Sequence, residues 1–168
     1  MIRVLGTALL ALGGTAMGFC AAREVSYRAE VLNDLAASLS LLEQDLELGG
    51  YSLQECFRAL TDRGGGAVQW FFTACVEGMD RLEERPFPEL WSGLSGELPI
   101  GREGRKILSA LGEILGRCET ERQMRALRTA GEALVLLAQE NGEQCRRQGR
   151  VYQAVGMASG AFLAILLL

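Results

Sequence analysis

Histidine is absent from the 168 residues, so the chain lacks the side chain that most often serves as general base or metal ligand near neutral pH. Lysine occurs once, at Lys106, and arginine supplies almost all of the positive charge. The net charge is -4 at pH 7. Binding to phosphate backbones requires a basic face, and we therefore expect no nucleic-acid partner.

Close cysteine pairs are also missing. The five cysteines are odd in number, far apart and never arranged as CxxC, which disfavours a zinc site and a disulfide framework. Only 7% of the residues are aromatic and three are proline, a composition that disfavours an all-β fold. The sequence predicts reduced thiols, no bound metal and an all-α fold.

Motifs of catalysis do not occur. The chain has no GxxxxGK[ST], GxSxG or HExxH pattern, and the glycine run at residues 64–66 is followed by neither lysine nor a hydroxyl side chain. We therefore predict no catalytic residues, no metal ligands and no cofactor, and we expect that the chain is not an enzyme.

Two long stretches, by contrast, carry no charge. Residues 4–22 and 151–168 contain no acidic or basic side chain. A helix rises about 1.5 Å per residue, so each stretch comes close to the roughly 30 Å hydrocarbon core of a bilayer. The sequence predicts transmembrane helices over residues 4–22 and 151–168, in contact with membrane lipid.

Arginine placement gives the orientation of these helices. Arginines that flank the inner ends of both stretches are Arg23, Arg28, Arg146, Arg147 and Arg150, and only Arg3 lies outside. By the positive-inside rule, residues 23–150 form a cytoplasmic domain. That domain is predicted to be a multi-helix bundle flanked by the N- and C-terminal transmembrane helices.

The first stretch has a second interpretation. A short basic start, an apolar run and small residues near Ala21 and Ala22 are also typical of a signal peptide. A retained anchor is favoured because the run is longer than a usual signal-peptide core. The alternative is a secreted or tail-anchored helical interaction protein with a cleaved signal sequence.

Glycines four apart occur in both stretches, as Gly14 with Gly18 and Gly156 with Gly160. This spacing lets membrane helices pack backbone to backbone. It favours a paired hairpin or a homo-oligomer.

Between these ends, periodicity predicts helices. An apolar seam with 3-4 spacing precedes Leu48 and comprises Leu32, Leu35, Leu39, Leu42 and Leu46. Capping boxes are predicted at Ser52 with Glu55, and at Thr120 with Gln123. Shorter helices are expected over residues 67–84, 89–94 and 100–116, and the last helix continues without a forced break into the second apolar run. A core stripe in that last helix is predicted at Met124, Leu127, Gly131, Leu134 and Ala138.

Expected core residues of the shorter helices include aromatic side chains. Leu90 and Trp91 are predicted to be buried in the short helix after the prolines. For the helix over residues 67–84 the expected core is mostly Trp70, Phe71, Ala74, Cys75 and Met79.

The heptapeptide LGEILGR at residues 111–117 places two glycines in a predicted helix. Glycine destabilises a helix interior by about 1 kcal/mol relative to alanine, so a close helix contact is the expected reason for it. We predict that Gly112 and Gly116, with Leu111 and Leu115, pack against a neighbouring helix, for which the C-terminal one is the candidate.

Charged residues near this motif are candidates for partner contacts. Glu113 and Arg117 are its polar members. Arg122, Arg125 and Arg128 recur three apart on the last helix. They form either a solvated face that pairs with Glu121 and Glu132, or a docking strip for an acidic partner.

These residues carry a family resemblance. The pattern Leu108-x-x-Leu111-Gly112-x-x-Leu115-Gly116-x-x-Glu119-x-x-x-Gln123 resembles that of stage III sporulation protein AB, as does the tail from Tyr152 through Gly156 and Gly160 to residues 165–168. The family is also similar at Arg28, Glu43, Leu53 and four leucines of the seam, Leu32, Leu35, Leu39 and Leu42. The family often has proline where this chain has Ser52, and both residues start helices well.

The resemblance implies a protein of endospore-forming bacteria, made in the mother cell and held in the membrane around the forespore. It implies membership of a multiprotein channel related to secretion systems. The helical bundle would be similar to the platform proteins of type II secretion and type IV pilus machines. Its partners would be a cognate cytoplasmic secretion-type ATPase and other channel proteins.

The two interpretations of residues 4–22 predict different mature N-termini. We expect N-terminal sequencing of the protein isolated from cells to find this segment retained, because its length suits a membrane span. A mature chain that starts near Arg23 would contradict the two-span arrangement and favour the cleaved signal.

Overall fold

The computed structural model describes the backbone of residues 2–49, 51–63, 65–80 and 86–167, and the side chains of residues 23–49, 51–63, 65–80 and 86–143. All regular structure in these residues is helical. The helices are α1 (Ile2–Leu48), α2 (Leu53–Thr61), α3 (Gly66–Met79), α4 (Phe87–Glu97), α5 (Gly101–Gly112) and α6 (Thr120–Leu167). One compact unit comprises Arg28–Gln139, and the other comprises Met1–Tyr27 with Glu140–Leu168.

The leucine seam of α1 lies in the core of the unit Arg28–Gln139. Four of its five leucines are fully buried and Leu46 is half-buried, because 3-4 spacing keeps them on one helix face. The helix ends at Leu48, and Gly49 follows with a φ of 67°. A left-handed glycine at this position ends a helix without steric strain.

A capping box begins α2 as predicted. The hydroxyl of Ser52 accepts a hydrogen bond from the Glu55 amide at 3.3 Å, and the Ser52 amide donates to Glu55 Oε2 at 2.7 Å. Gln54 Nε2 donates to Asp80 Oδ1 at 2.8 Å, which joins the start of α2 to the residue after α3. The two helices therefore pack as an antiparallel pair.

The buried face of α3 differs from the predicted one. Phe71 and Cys75 are buried as expected, but Phe72 is buried as well and Trp70 is 43% exposed. With Val68, the buried residues are spaced i, i+3, i+4 and i+7, so Trp70 falls outside the stripe. Both residues are large and aromatic, so residue type alone does not show which one is buried. Packing of α3 against α2 and α4 buries Phe72 and leaves Trp70 exposed.

Trp91 of α4 is completely buried among aromatic rings. Its ring centroid lies 5.7 Å from that of Phe57, 4.9 Å from Phe71 and 5.6 Å from Phe87. Its indole Nε1 donates to the carbonyl oxygen of Leu108 at 2.7 Å. One side chain thus contacts α2, α3 and α5, while its neighbour Leu90 is only half-buried.

Helix α5 is shorter than predicted, and α6 is a single long helix. The expected helix over residues 100–116 ends at Gly112, and a turn follows it. Helix α6 runs for 48 residues without interruption through the polar stretch after Gln139. The predicted stripe of α6 is buried at Leu127, Gly131, Leu134 and Ala138, and Met124 is half-buried.

The predicted membrane spans lie at the chain ends. The backbones of residues 4–22 and 151–167 are helical. Over the residues that were described in full, no helix is both long enough and apolar enough to cross a bilayer. The spans, and the pairs Gly14 with Gly18 and Gly156 with Gly160, lie outside those residues.

The capping box predicts a specific pH dependence of stability. Hydrogen bonds from the backbone amide and the hydroxyl of Ser52 hold the pKa of Glu55 below its ordinary value. The stabilisation from this carboxylate is therefore complete above the ordinary glutamate pKa and is lost as the pH falls through the lower folded value.

We expect Glu55→Gln to lower the free energy of unfolding, measured by urea denaturation, at neutral pH. The difference from the wild type should shrink as the pH falls below about 4.5, because protonated Glu55 then resembles glutamine. The exposed-serine variant Ser92→Ala is the control and should show no such trend. A difference for Glu55→Gln that stays constant with pH would contradict the role of the charge.

Candidate protein interaction site

Gly112 is the last residue of α5 and lies against the indole of Trp91. A Cβ atom at Gly112 would lie 2.4 Å from Trp91 Cδ1 and 2.9 Å from Trp91 Cγ, which no side chain tolerates without movement. Hydrogen is therefore the only side chain that lets α5 approach α4 this closely. The predicted close contact exists, but its partner is α4 and not the C-terminal helix.

Glycine is required at Gly116 for a different structural reason than at Gly112. It lies in the turn after α5 with a φ of 73°, and the nearest atom to a Cβ there would be Leu53 Cδ2 at 3.8 Å. That space is ordinary, so glycine is required by the left-handed backbone and not by a close neighbour. The prediction of two glycines on one helix face is thus corrected, while Leu111 and Leu115 are both buried.

The side chain of Gln123, near the start of α6, forms two hydrogen bonds to the backbone of the loop after α5. The Gly116 amide donates to Gln123 Oε1 at 3.1 Å, and Gln123 Nε2 donates to the Cys118 carbonyl oxygen at 2.6 Å. The expected capping box between Thr120 and Gln123 is not what is observed. The Gln123 amide donates to the carbonyl oxygen of Glu119, so the residue before the helix is Glu119 and not Thr120 as predicted. The side chain of Gln123 contacts the preceding turn instead.

The polar members of the heptapeptide are on the surface. Arg117 Nη1 lies 3.4 Å from Glu113 Oε2, and the two side chains are 59% and 65% exposed. Exposed pairs of this kind contribute little to stability. Both groups are therefore accessible to a partner without disturbing the fold.

The three arginines of α6 have different neighbours. Arg128 donates from Nε, at 2.9 Å, and from Nη2 to one carboxylate oxygen of Glu43 on α1, whose side chain is only 14% exposed. This pair raises the pKa of Arg128. Arg125 lies 3.7 Å from Glu121 in the predicted pair. The predicted partner Glu132 makes the smallest of the contributions that raise the pKa of Arg128.

Arg122 and Arg125 lie beside an open groove between α5 and α6, which we call the α5–α6 groove. Its volume is about 750 Å³. The residues that line it are Ile107, Ala110, Leu111, Ile114, Arg122, Arg125, Ala126, Thr129, Ala130 and Ala133. Sequence reasoning missed this groove, although the alanines of α6 at positions 126, 130 and 133 recur three to four residues apart.

A second groove of about 670 Å³ lies between α1 and α6. Arg128 and Glu43 both line it, and its exposed apolar residues are Val135 and Leu136, at 38% and 58% exposure. The structure therefore brings Arg122 and Arg125 to one groove and Arg128 to another. The predicted single docking strip is divided between them.

The described residues offer no cluster of three acidic or thiol side chains that could hold a metal ion. Burial raises the pKa of the thiols of Cys56 and Cys75, which stay protonated and unreactive at neutral pH.

Comparison with known proteins identifies a family. A family model described as stage III sporulation protein AB matches residues 3–168. No curated protein and no solved structure matches the chain.

The two glycines of the heptapeptide should respond differently to substitution. We expect Gly112→Leu to lower the free energy of unfolding by about 3 kcal/mol or more, because the added side chain overlaps the Trp91 ring. Gly116→Ala should lower it by about 1–2 kcal/mol through the left-handed backbone alone. Urea denaturation followed by circular dichroism measures both.

Gly93→Ala provides the matched control for these substitutions. Gly93 is exposed on α4, and a Cβ there would meet nothing within 4 Å. Alanine should therefore stabilise the helix by up to about 1 kcal/mol. A Gly112→Leu variant as stable as the wild type would contradict the close contact with Trp91.

Proposed function

Because this chain belongs to the stage III sporulation protein AB family, we propose that it is a non-enzymatic platform protein of a sporulation channel that resembles secretion machinery. In this function it couples a cognate cytoplasmic ATPase of the secretion type to the membrane components of the channel. The observation that carries the proposal is the family match, which extends over residues 3–168.

The geometry of the unit Arg28–Gln139 supports a binding function. Its buried residues are apolar apart from Ser38 and Ser95. Charged side chains and two open grooves lie at the surface instead. A rigid helical scaffold that presents accessible ion pairs and apolar grooves is suited to contacts with other proteins.

The proposal places the protein in the mother-cell membrane around the forespore. Residues 4–22 and 151–168 serve as membrane anchors, supported by their lack of charge, and residues 23–150 lie in the cytoplasm, supported by the flanking arginines. Glycine pairs in both anchors support helix pairing within one chain or between copies.

Binding to the ATPase is the direct test. We expect the full chain in detergent micelles to bind the purified cognate ATPase at low salt with a dissociation constant in the micromolar range, as transient interfaces do. Affinity should fall as salt is added, because the exposed charges are screened. Absence of binding at low salt, with and without nucleotide, would contradict the proposal.

Arg117→Ala tests whether the heptapeptide contributes to that interface. The side chain is 59% exposed, so melting should be unchanged while affinity for the ATPase falls by about two- to fivefold. Lys106→Ala removes a comparably exposed cation of α5 that pairs with Glu103, and should leave affinity unchanged. Equal affinities for both variants and the wild type would exclude Arg117 from the interface.

A further inference from the structure

We propose that the α5–α6 groove binds an amphipathic helix of another protein, with carboxylates placed beside its apolar face. The inference rests on the platform function proposed above, to which it assigns a docking surface and a chemical class of partner. Shape, charge and a comparison with the second groove carry it.

The shape of the groove suits a helix. The groove is lined by Ala110 on α5 and by Ala126, Ala130 and Ala133 on α6, so short side chains leave open space between the two helices. Ala110 is exposed at this lining. A third helix can place its apolar side chains in such a groove, as helix-in-groove complexes do.

The charged residues that line the groove are both basic. None of the residues that line it is acidic, and two of them are Arg122 and Arg125. The pair of Arg125 with Glu121 is long, at 3.7 Å, and both side chains are more than 70% exposed, so it yields readily to a better partner. Carboxylates on a docked helix would meet both guanidinium groups at successive turns of α6.

The groove between α1 and α6 has no excess of basic side chains. Its arginine, Arg128, is held by Glu43, and Glu132 lines the same groove. Its lining therefore carries two carboxylates and one guanidinium group, a net negative charge. An acidic partner gains less there, which distinguishes the α5–α6 groove as the docking site for such a helix.

Two synthetic peptides test the inference on the full chain in detergent micelles. Both are amphipathic helices with the same leucine and alanine face, flanked by glutamates in one and by lysines in the other. Fluorescence anisotropy should show that the glutamate peptide binds at least about tenfold more tightly, because two ion pairs are gained in one and two repulsions in the other. High salt should reduce this preference.

Three variants locate the binding site. Arg122→Glu with Arg125→Glu should reverse the peptide preference, and Ala110→Trp should fill the groove and weaken the glutamate peptide by about tenfold or more. Arg102→Glu with Arg105→Glu is the matched control, since these exposed arginines of α5 do not line the groove. The control should change affinity by less than about twofold. Circular dichroism melts verify that each variant is folded.

Several results would overturn the inference. They are equal affinity for the two peptides, no binding of either, or unchanged affinity in the Arg122 and Arg125 double variant. Displacement of the peptide by vesicles of anionic lipid would assign the groove to a membrane surface instead. Self-association of the chain that Ala110→Trp abolishes would assign it to a second copy.

The platform function fails separately. If the glutamate peptide binds as expected but the ATPase does not bind the chain, the coupling function is wrong and the groove assignment stands. If the ATPase binds with unchanged affinity to Ala110→Trp and neither peptide binds, the groove assignment is wrong and the coupling function stands.

Discussion

The hydrogen bond from the Trp91 indole to the Leu108 carbonyl, together with the rings around that indole, holds the short helices in place. The side chain has no exposed surface, and it contacts Phe57, Phe71 and the bare backbone of Gly112. Truncation of a buried tryptophan costs a domain about 3–5 kcal/mol, a large share of a total stability of about 5–15 kcal/mol. The positions of α2, α3 and α5 thus depend on one residue of α4.

The long helices α1 and α6 contribute residues both to the core and to the surface. The seam of α1 and the stripe of α6 complete the core with small or branched apolar side chains, and most of the other described positions of these helices are exposed. Those positions carry arginines, glutamates and alanines. Alanines line both grooves, and their short side chains leave the space between the helices unfilled.

Patterns with local causes were predictable from the sequence. The leucine seam depends on spacing alone, and the capping box at Ser52 depends on residues three apart, so both are confirmed. The end of α5 was not predictable in this way, because the apolar periodicity continues through Leu115. The left-handed conformation of Gly116 depends on Gln123, seven residues later, whose hydrogen bonds become visible only in the structure.

Non-local choices account for the other differences. Trp70 and Phe72 are equally suitable for a core, and only the neighbouring helices decide between them. Glu43 lies 85 residues from Arg128 in the chain, so no spacing rule identifies the pair. The α5–α6 groove is a property of two helix faces together, and neither face predicts it alone.

The buried thiols have one more consequence. Cys56 and Cys75 are shielded and held protonated, and the sequence contains no histidine. No side chain of the described core therefore changes its charge between about pH 6 and 8, or reacts readily with an oxidant. Of the described thiols, Cys118 is the only one that is not buried. Oxidants and changes of pH within that range therefore leave the packing of the described core unchanged.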